Sequence, residues 1–390
     1  MKKRIFPALC ILCMALITMN SFAQDTPPKK RSASVKKIWD IPHETLWEKW
    51  MWPHRSATFI ITKERPIDYD TAYIKSYKKR LGVTVPLSTR FLTFTLQDGK
   101  GGSSLLFSPN LHYNIGLSIT SRWASFILNS GVKIYGGNKE RKGETKFQDF
   151  QLNLYGRKVT TDTYFQYYSG FYIRNSKSFE NYQSDSAFAI RPDVNVMHMG
   201  ISTYYIVNNK KFSYRSSFAF AEQQRKSAGS LLMGVYYSYF DASGDPSLIS
   251  SPFRSSFDSL SYIKNARAQD FGFNIGYIYT FVFLKKCSAT ISLVQGIGGQ
   301  HLHYLREDYT SYNKLLGGAE KIHARAALKY DNDRLYIGAM GILDYVLLPL
   351  KSSNSSFDYT YGKAMVFVGY RFKTLKKENN ILKKMKLIGY

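Results

Sequence analysis

The sequence predicts an all-β fold: a transmembrane antiparallel up-and-down β-barrel of about twelve strands, within a range of about ten to fourteen. Three observations predict it. The N-terminus carries an export signal, many segments repeat apolar residues at every second position, and the chain is rich in aromatics yet has no apolar segment of helix length after residue 23.

The signal is first in the chain. Lys2, Lys3 and Arg4 precede an apolar run from Ile5 to Met19, and Ser21 and Ala23 supply small residues where a signal peptidase needs them, so cleavage is expected after Ala23. The run is too short to span a bilayer. Cys10 and Cys13 lack the small residues that precede a lipid-anchored cysteine, and they leave with the signal. Only Cys287 remains, so no internal disulfide is expected. Removing Lys2, Lys3 and Arg4 lowers the formal charge from +26 to +23. Export argues against a nucleic-acid partner for this basic chain and points to anionic lipid, with the phosphates of lipopolysaccharide outside and phospholipid headgroups inside.

Composition separates a membrane barrel from a soluble β-sandwich, which is the alternative. Aromatics make up 16% of the residues, with 30 Tyr and 26 Phe, while mean hydropathy is slightly negative. In a barrel, lipid-facing residues alternate with polar lumen residues, so a hydropathy window averages the two faces.

Periodicity supplies the strands. From Phe271 to Phe281 the odd positions are Phe271, Phe273, Ile275, Tyr277, Tyr279 and Phe281, whereas Gly272, Asn274, Gly276, Ile278 and Thr280 occupy the even ones. The same period runs through Asn195–Tyr205 and Phe212–Phe220. Candidate strands lie at 88–97, 103–119, 122–134, 146–157, 160–173, 194–208, 211–221, 230–241, 268–284, 287–303, 320–331, 333–349 and 359–372. Short connections at Thr120–Arg122, Arg157–Lys158, Asn208–Lys210, Lys285–Lys286 and Asp331–Asp333 alternate with long ones at 174–193, 242–267 and 304–319. Short turns inside and long loops outside is the outer-membrane pattern. Thirteen segments is an odd number, however, and the alternation breaks between residues 208 and 268, with Gln223–Ser230 the suspect connection.

The last strand places Ala364, Val366, Val368 and Tyr370 on one face and Phe367, Gly369 and Arg371 on the other. Such a terminal aromatic strand makes the barrel-assembly machinery an expected partner during insertion. Beyond it, Lys373–Tyr390 holds six lysines and one glutamate. Near the other end Trp39, Trp47, Trp50 and Trp52 fall within fourteen residues, on a helix predicted between Asp40 and Pro53. A second short helix is expected near Thr71–Leu81. The domain reading is therefore a signal at 1–23, a Trp-rich periplasmic segment with short helices at 24–85, a barrel at 86–372 and a basic periplasmic tail at 373–390.

Catalytic motifs do not appear: there is no G-x-S-x-G, H-E-x-x-H, phosphate-binding glycine loop or C-x-x-C in the exported chain. His301 and His303 share a strand face near Glu307 and Asp308, but two imidazoles without a third fixed ligand do not make a metal site. His198 could lie beside Ser213 or Ser217 on a neighbouring strand, as a lumen hydrolase would require, but without an orienting carboxylate. The chain reads as no enzyme, with no catalytic residue, metal or cofactor assigned. The inferred polar face instead gathers Arg215, His198, Asn274, His323, Arg325 and Lys329 as candidate ligand or selectivity residues, together with Gln151, Asn153, Gln166 and Arg371. Such a lumen is polar and cationic. Two meanings compete, a solute pathway or binding cavity favouring anions and a closed network of mutually satisfied groups, and the first is preferred because about twelve strands leave room inside.

Several segments also resemble a known family. These are Ile67-Asp68-Tyr69-Asp70 with Tyr73-Ile74, Phe107-Ser108-Pro109-Asn110 with Gly116, Tyr164 to Tyr172, and Phe212-Ser213-Tyr214-Arg215 leading to Lys226-Ser227-Ala228-Gly229-Ser230. Over roughly residues 65–372 the chain is similar to an uncharacterised outer-membrane barrel family, a domain of unknown function common in Bacteroidetes. The resemblance implies a barrel and no particular activity.

Overall fold

The structure is a computed structural model. It describes residues 67–373 apart from short stretches at 78–79, 99–101, 111, 121–123, 137, 183, 185–186, 258–261 and 351–354. The predicted signal, the Trp-rich helix and the basic tail beyond residue 373 lie outside the described residues.

Alternating sequence builds a long antiparallel meander. Its strands are β1 (Ile74–Ser76), β2 (Arg80–Gln97), β3 (Ser104–Ser108), β4 (His112–Thr120), β5 (Ala124–Gly136), β6 (Lys146–Tyr155), β7 (Val159–Ile173) and β8 (Ala189–Ile206). There follow β9 (Glu222–Gln224), β10 (Ala228–Ser243), β11 (Ile263–Phe283), β12 (Cys287–Arg306), β13 (Ser311–Asn332), β14 (Leu335–Leu350) and β15 (Ser355–Lys373). On β11, Phe271, Phe273, Ile275 and Tyr277 are exposed while Asp270, Asn274, Ile278 and Thr280 are buried. Successive strand residues face opposite sides of a sheet, so apolar groups point outward and mostly polar ones inward.

The sheet closes on itself. β15 pairs with β2 in unbroken register from Ser356↔Gln97 to Lys373↔Arg80. The shorter hydrogen-bonded circuit counts ten strands, because β3 joins β2 to β7. A longer circuit leaves β2 through β4, β5 and β6 and rejoins at β7, which brings the ring to twelve. β1 and β9 form a separate two-stranded sheet. Closure matters physically because an open edge leaves backbone N–H and C=O groups without partners.

Short turns gather at one end, where residues 156–158, 284–286 and 333–334 join neighbouring strands. The two-residue turn after β13 places Asp333 at φ 51°, a left-handed conformation that Asp tolerates better than most residues. The opposite end carries the longer connections 174–188 and 244–262. Inside, one apolar cluster built around Phe94, Phe107, Phe240 and Phe357 fills the long-loop end. A second, around Ile206, Phe212, Phe218 and Phe367, fills the short-turn end. Between them lies a polar layer that includes His198, Asn274, Lys321 and His323.

Five expectations need correction. The barrel wall begins at Arg80 rather than residue 86. The helix expected at Thr71–Leu81 is instead a turn followed by β1, because Ile74–Ser76 finds a backbone ladder with Glu222–Gln224 and buries Ile74 and Tyr77. The 103–119 strand is interrupted at Pro109-Asn110, where proline supplies no N–H and Asn110 donates from its side chain to the Gly143 carbonyl at 2.6 Å. Residues 304–319 are mostly strand, since β12 and β13 continue pairing out to Leu305↔Ser311. Finally, 211–221 is not a strand and Asn208–Lys210 is not a hairpin turn. The chain leaves β8, folds into the lumen and returns at β10, which removes the odd member of the strand list.

Candidate functional site: the lumen and its plug

The connection from Val207 to Ser227 forms a plug. Ser213 starts a one-turn helix, α1 (Tyr214–Phe218), by accepting the Ser216 N–H at 3.0 Å on its hydroxyl, as N-cap serines do. Phe220 then adopts φ 57°, a rare conformation for a bulky residue, and reverses the chain towards β9. Every residue from Phe212 to Phe220 is buried. A wall strand would expose one face, whereas this segment exposes none.

The plug is bound to the wall by polar groups as well as packing. Lys329 donates to the Ser216 carbonyl at 2.7 Å, the Ser217 hydroxyl lies 2.8 Å from that of Thr290, and Arg371 donates twice to the Phe220 carbonyl at 3.0 Å. Arg325 reaches the Tyr214 hydroxyl and pairs with Asp162 at 2.9 Å. Within the plug, Glu222 takes the Ser213 hydroxyl at 2.6 Å and Arg215 at 3.2 Å, while Arg157 of the β6–β7 turn also pairs with it.

A strap lies over this assembly. Asp70 donates its N–H to the Lys210 carbonyl at 2.9 Å, Tyr77 to Ala221 at 3.1 Å, and Arg225 of the plug donates to Tyr73 at 2.7 Å. Side chains fasten the strap to the wall: Lys75 reaches Asp333 at 2.6 Å, the Tyr77 hydroxyl reaches it at 3.0 Å, and the Arg80 guanidinium reaches the Asp333 carbonyl at 2.8 Å. The Lys75 hydrogen bond holds the Asp333 carboxyl below its usual range, and burial pushes the Tyr77 phenol up. A depressed carboxyl contributes stability above its unfolded value of about 3.9 and loses that contribution as pH falls through the folded value. Asp333→Asn is therefore expected to melt below the parent protein at pH 7, with the gap narrowing at an acidic pH below the unfolded value. Thermal unfolding in detergent at both pH values checks this; an equal gap at both would show that the carboxylate charge does not matter.

The structure places His198, Asn274, His323, Arg325 and Lys329 inside the barrel on strand faces pointing to the lumen, and Arg215 inside it on α1 rather than on a strand. It brings His323, Arg325 and Lys329 onto one face of β13 and seats Arg325 and Lys329 against the plug that carries Arg215. Cations there meet acids. His323 pairs with Asp344, Lys329 with Asp331 at 3.0 Å, Arg371 with Asp331 at 2.7 Å and Arg90 with Asp149 at 2.5 Å. The sequence pattern did not single out these acids, nor the buried Asp270, which shares the even positions of β11 with Asn274 and was open to the same parity argument.

His198 and the plug serines are engaged separately. His198 Nδ1 bonds Gln166 at 3.0 Å and its ring packs 4.6 Å from that of Tyr164, whereas Ser213 serves Glu222 and Ser217 serves Thr290. His301 and His303 take the positions of β12 that alternate with its buried residues. Among the described residues no three His, Cys, Asp or Glu side chains are grouped to hold a metal ion.

A family model for a domain of unknown function, DUF4421, matches residues 68–372, from the strap to the end of the last strand. The chain belongs to that family. No curated protein matches it. Among solved structures it is similar to the Escherichia coli outer membrane protease OmpT, at 9% identity and a TM-score of 0.39, over 76% of this chain and 98% of that one. It is also similar to the Pseudomonas putida toluene transporter TodX, at 7% identity and a TM-score of 0.22, over 76% and 90%. A third is the Vibrio cholerae outer membrane protein OmpT, at 8% identity and a TM-score of 0.25, over 75% and 98%. Likenesses of this size say nothing about activity.

Proposed function

We propose that this DUF4421 chain is an outer-membrane β-barrel that is closed at rest by its own plug, after export and cleavage following Ala23. The observation that carries this reading is the pairing of an apolar exterior with a filled lumen. Exposed Phe271, Phe273, Ile275, Tyr277, Phe281 and Phe283 run along one face of β11. At ~3.3 Å per residue and a tilt near 45°, that stretch rises about 28 Å, against an apolar band of about 25 Å on such barrels. Val366, Val368, Tyr370 and Phe372 continue the band on β15, and Ile291, Leu293 and Ile297 on β12. A soluble protein gains nothing from so much exposed apolar surface. The short-turn end, with strap and plug, then faces the periplasm and the longer connections face outward. Lipid and lipopolysaccharide phosphate are the counter-charges for its surplus cations, and the assembly machinery that inserts barrels is its partner during biogenesis.

A standing cationic pore is the weaker reading. Arg90, Arg325, Arg215, Lys329 and His323 face Asp149, Asp162, Glu222, Asp331 and Asp344 respectively, and apolar clusters occupy both ends of the lumen. Purified protein in a planar bilayer is expected to give no steady conductance, while showing heat-modifiable migration and fractionating with the outer membrane. A sustained ohmic conductance at low voltage would overturn closure, and a soluble periplasmic fraction would overturn the membrane reading.

A further inference from the structure

We propose that the plug is a strap-held gate, and that it closes a polar chamber at mid-barrel which takes a small uncharged solute with adjacent hydrogen-bond donor and acceptor groups, entering from the short-turn end. This rests on the reading of the chain as a barrel closed at rest.

The gate follows from how the plug is attached. Between Asn208 and Ser227 its β-ladder bonds run to β1 and not to the wall. The strap adds backbone bonds at Lys210, Ala221 and Arg225, so it grips the plug along its length. Besides the apolar packing of Phe212, Phe218 and Phe220, the wall meets the plug through polar contacts from Arg325, Lys329, Arg371, Thr280, Thr290, Arg157 and Asp331. Water can take over each of those polar contacts. A filler with no other role would do as well with apolar neighbours, since buried ion pairs add little net stability over well-packed apolar residues.

The chamber follows from groups behind the gate that have no hydrogen-bond partner. Both amide atoms of Asn274, Nε2 of His323 and the hydroxyl of Tyr236 are buried and unpartnered, and the Ser202 and Tyr204 hydroxyls have at most each other; all belong to residues at least nine-tenths buried. They lie together: the Tyr204 and His323 rings are 6.3 Å apart, Ser202 is in register with Tyr236, and Asn274 Oδ1 and the Tyr236 ring close in around the same point beside Gly296. Buried polar groups are almost always satisfied, so a contiguous set of exceptions calls for an occupant. Of the charged side chains here, His323 is matched by Asp344 and neighbouring Arg325 by Asp162, while the Lys321 ammonium stands 5.3 Å from the Tyr236 ring centre and is opposed by the charges of Asp344 and Asp270. That leaves uncharged donors and acceptors as the recognition surface, with Asn274 presenting one of each. An amide or polyol group complements them.

The test uses the full chain in detergent, with Cys287→Ser and a reporter thiol from Ser292→Cys, a buried inward position on β12. The probe is iodoacetamide, itself a small uncharged amide, read at peptide level by mass spectrometry. Heat-modifiable migration verifies that each variant is an intact barrel, so failure of the barrel reading is scored separately. Lys75→Ala with Tyr77→Ala should speed alkylation about tenfold, the change expected when two modest ties to a closed state are cut. A disulfide between Ser217→Cys and Thr290→Cys should abolish the gain, and reducing it before alkylation should restore it. Excess acetamide should slow alkylation of the strap variant, and Asn274→Leu should remove that protection. Alkylation at the parent rate in the strap variant, or at the unlocked rate in the cross-linked protein, overturns the gate. No protection by acetamide overturns the solute site.

Discussion

Arg371→Ala is expected to cost about 3–5 kcal/mol of unfolding free energy, the range for removing one partner of a buried ion pair. Arg371 is 1% exposed. It meets both oxygens of Asp331 at 2.7 and 2.9 Å, and its guanidinium lies 4.0 Å from the Tyr77 ring centre and 4.3 Å from that of Tyr336. Alanine would leave Asp331 with Lys329 alone at 3.0 Å, orphan the Phe220 carbonyl and open a void between two rings. Lysine should recover only part of the loss, because a point charge cannot make the two-pronged contact or stack as a plane. Urea titration of folding into lipid vesicles measures both variants. Full recovery by lysine would mean that charge, and not the guanidinium's shape, matters.

Ile275→Arg is expected to cost about 2–4 kcal/mol of folding into a bilayer, and Phe283→Arg only about 0–1 kcal/mol. Both side chains are exposed on the outer face of β11, but Ile275 lies in the middle of the apolar band and Phe283 at its short-turn edge, next to the Leu284–Lys286 turn. An arginine at the edge can extend its charge to the headgroups, and one at the centre cannot. Vesicle folding titrations compare the two directly. Equal costs would contradict a band centred near Ile275.

The wall was legible in sequence because inward and outward faces need only a two-residue period, and β11 and β15 carry it cleanly. The plug was not. Phe212, Tyr214, Phe218 and Phe220 all fall on even positions, as in a strand, yet Tyr214 and Phe218 are also four apart, as on one face of a helix. Burial on every side distinguishes the two, and a linear pattern does not report it. Parity likewise placed His323, Arg325 and Lys329 in the lumen. It could not supply their partners, since Arg325 meets Asp162 across 163 residues of chain and that meeting depends on register and closure. For these three residues the sequence therefore showed only one member of each pair.

The register of the first and last wall strands sets an order of events in time. β15 is the last wall strand among the described residues, and its arginine at 371 closes against β2 through Gly82. The same side chain reaches back to Phe220 in the plug and over Tyr77 in the strap. Until that strand arrives, the plug lacks two hydrogen bonds and Tyr77 lacks the guanidinium that covers it. Sealing the wall and completing the plug's contacts thus share one side chain, and a chain stalled before this strand would have an open seam and a plug short of its Arg371 bonds.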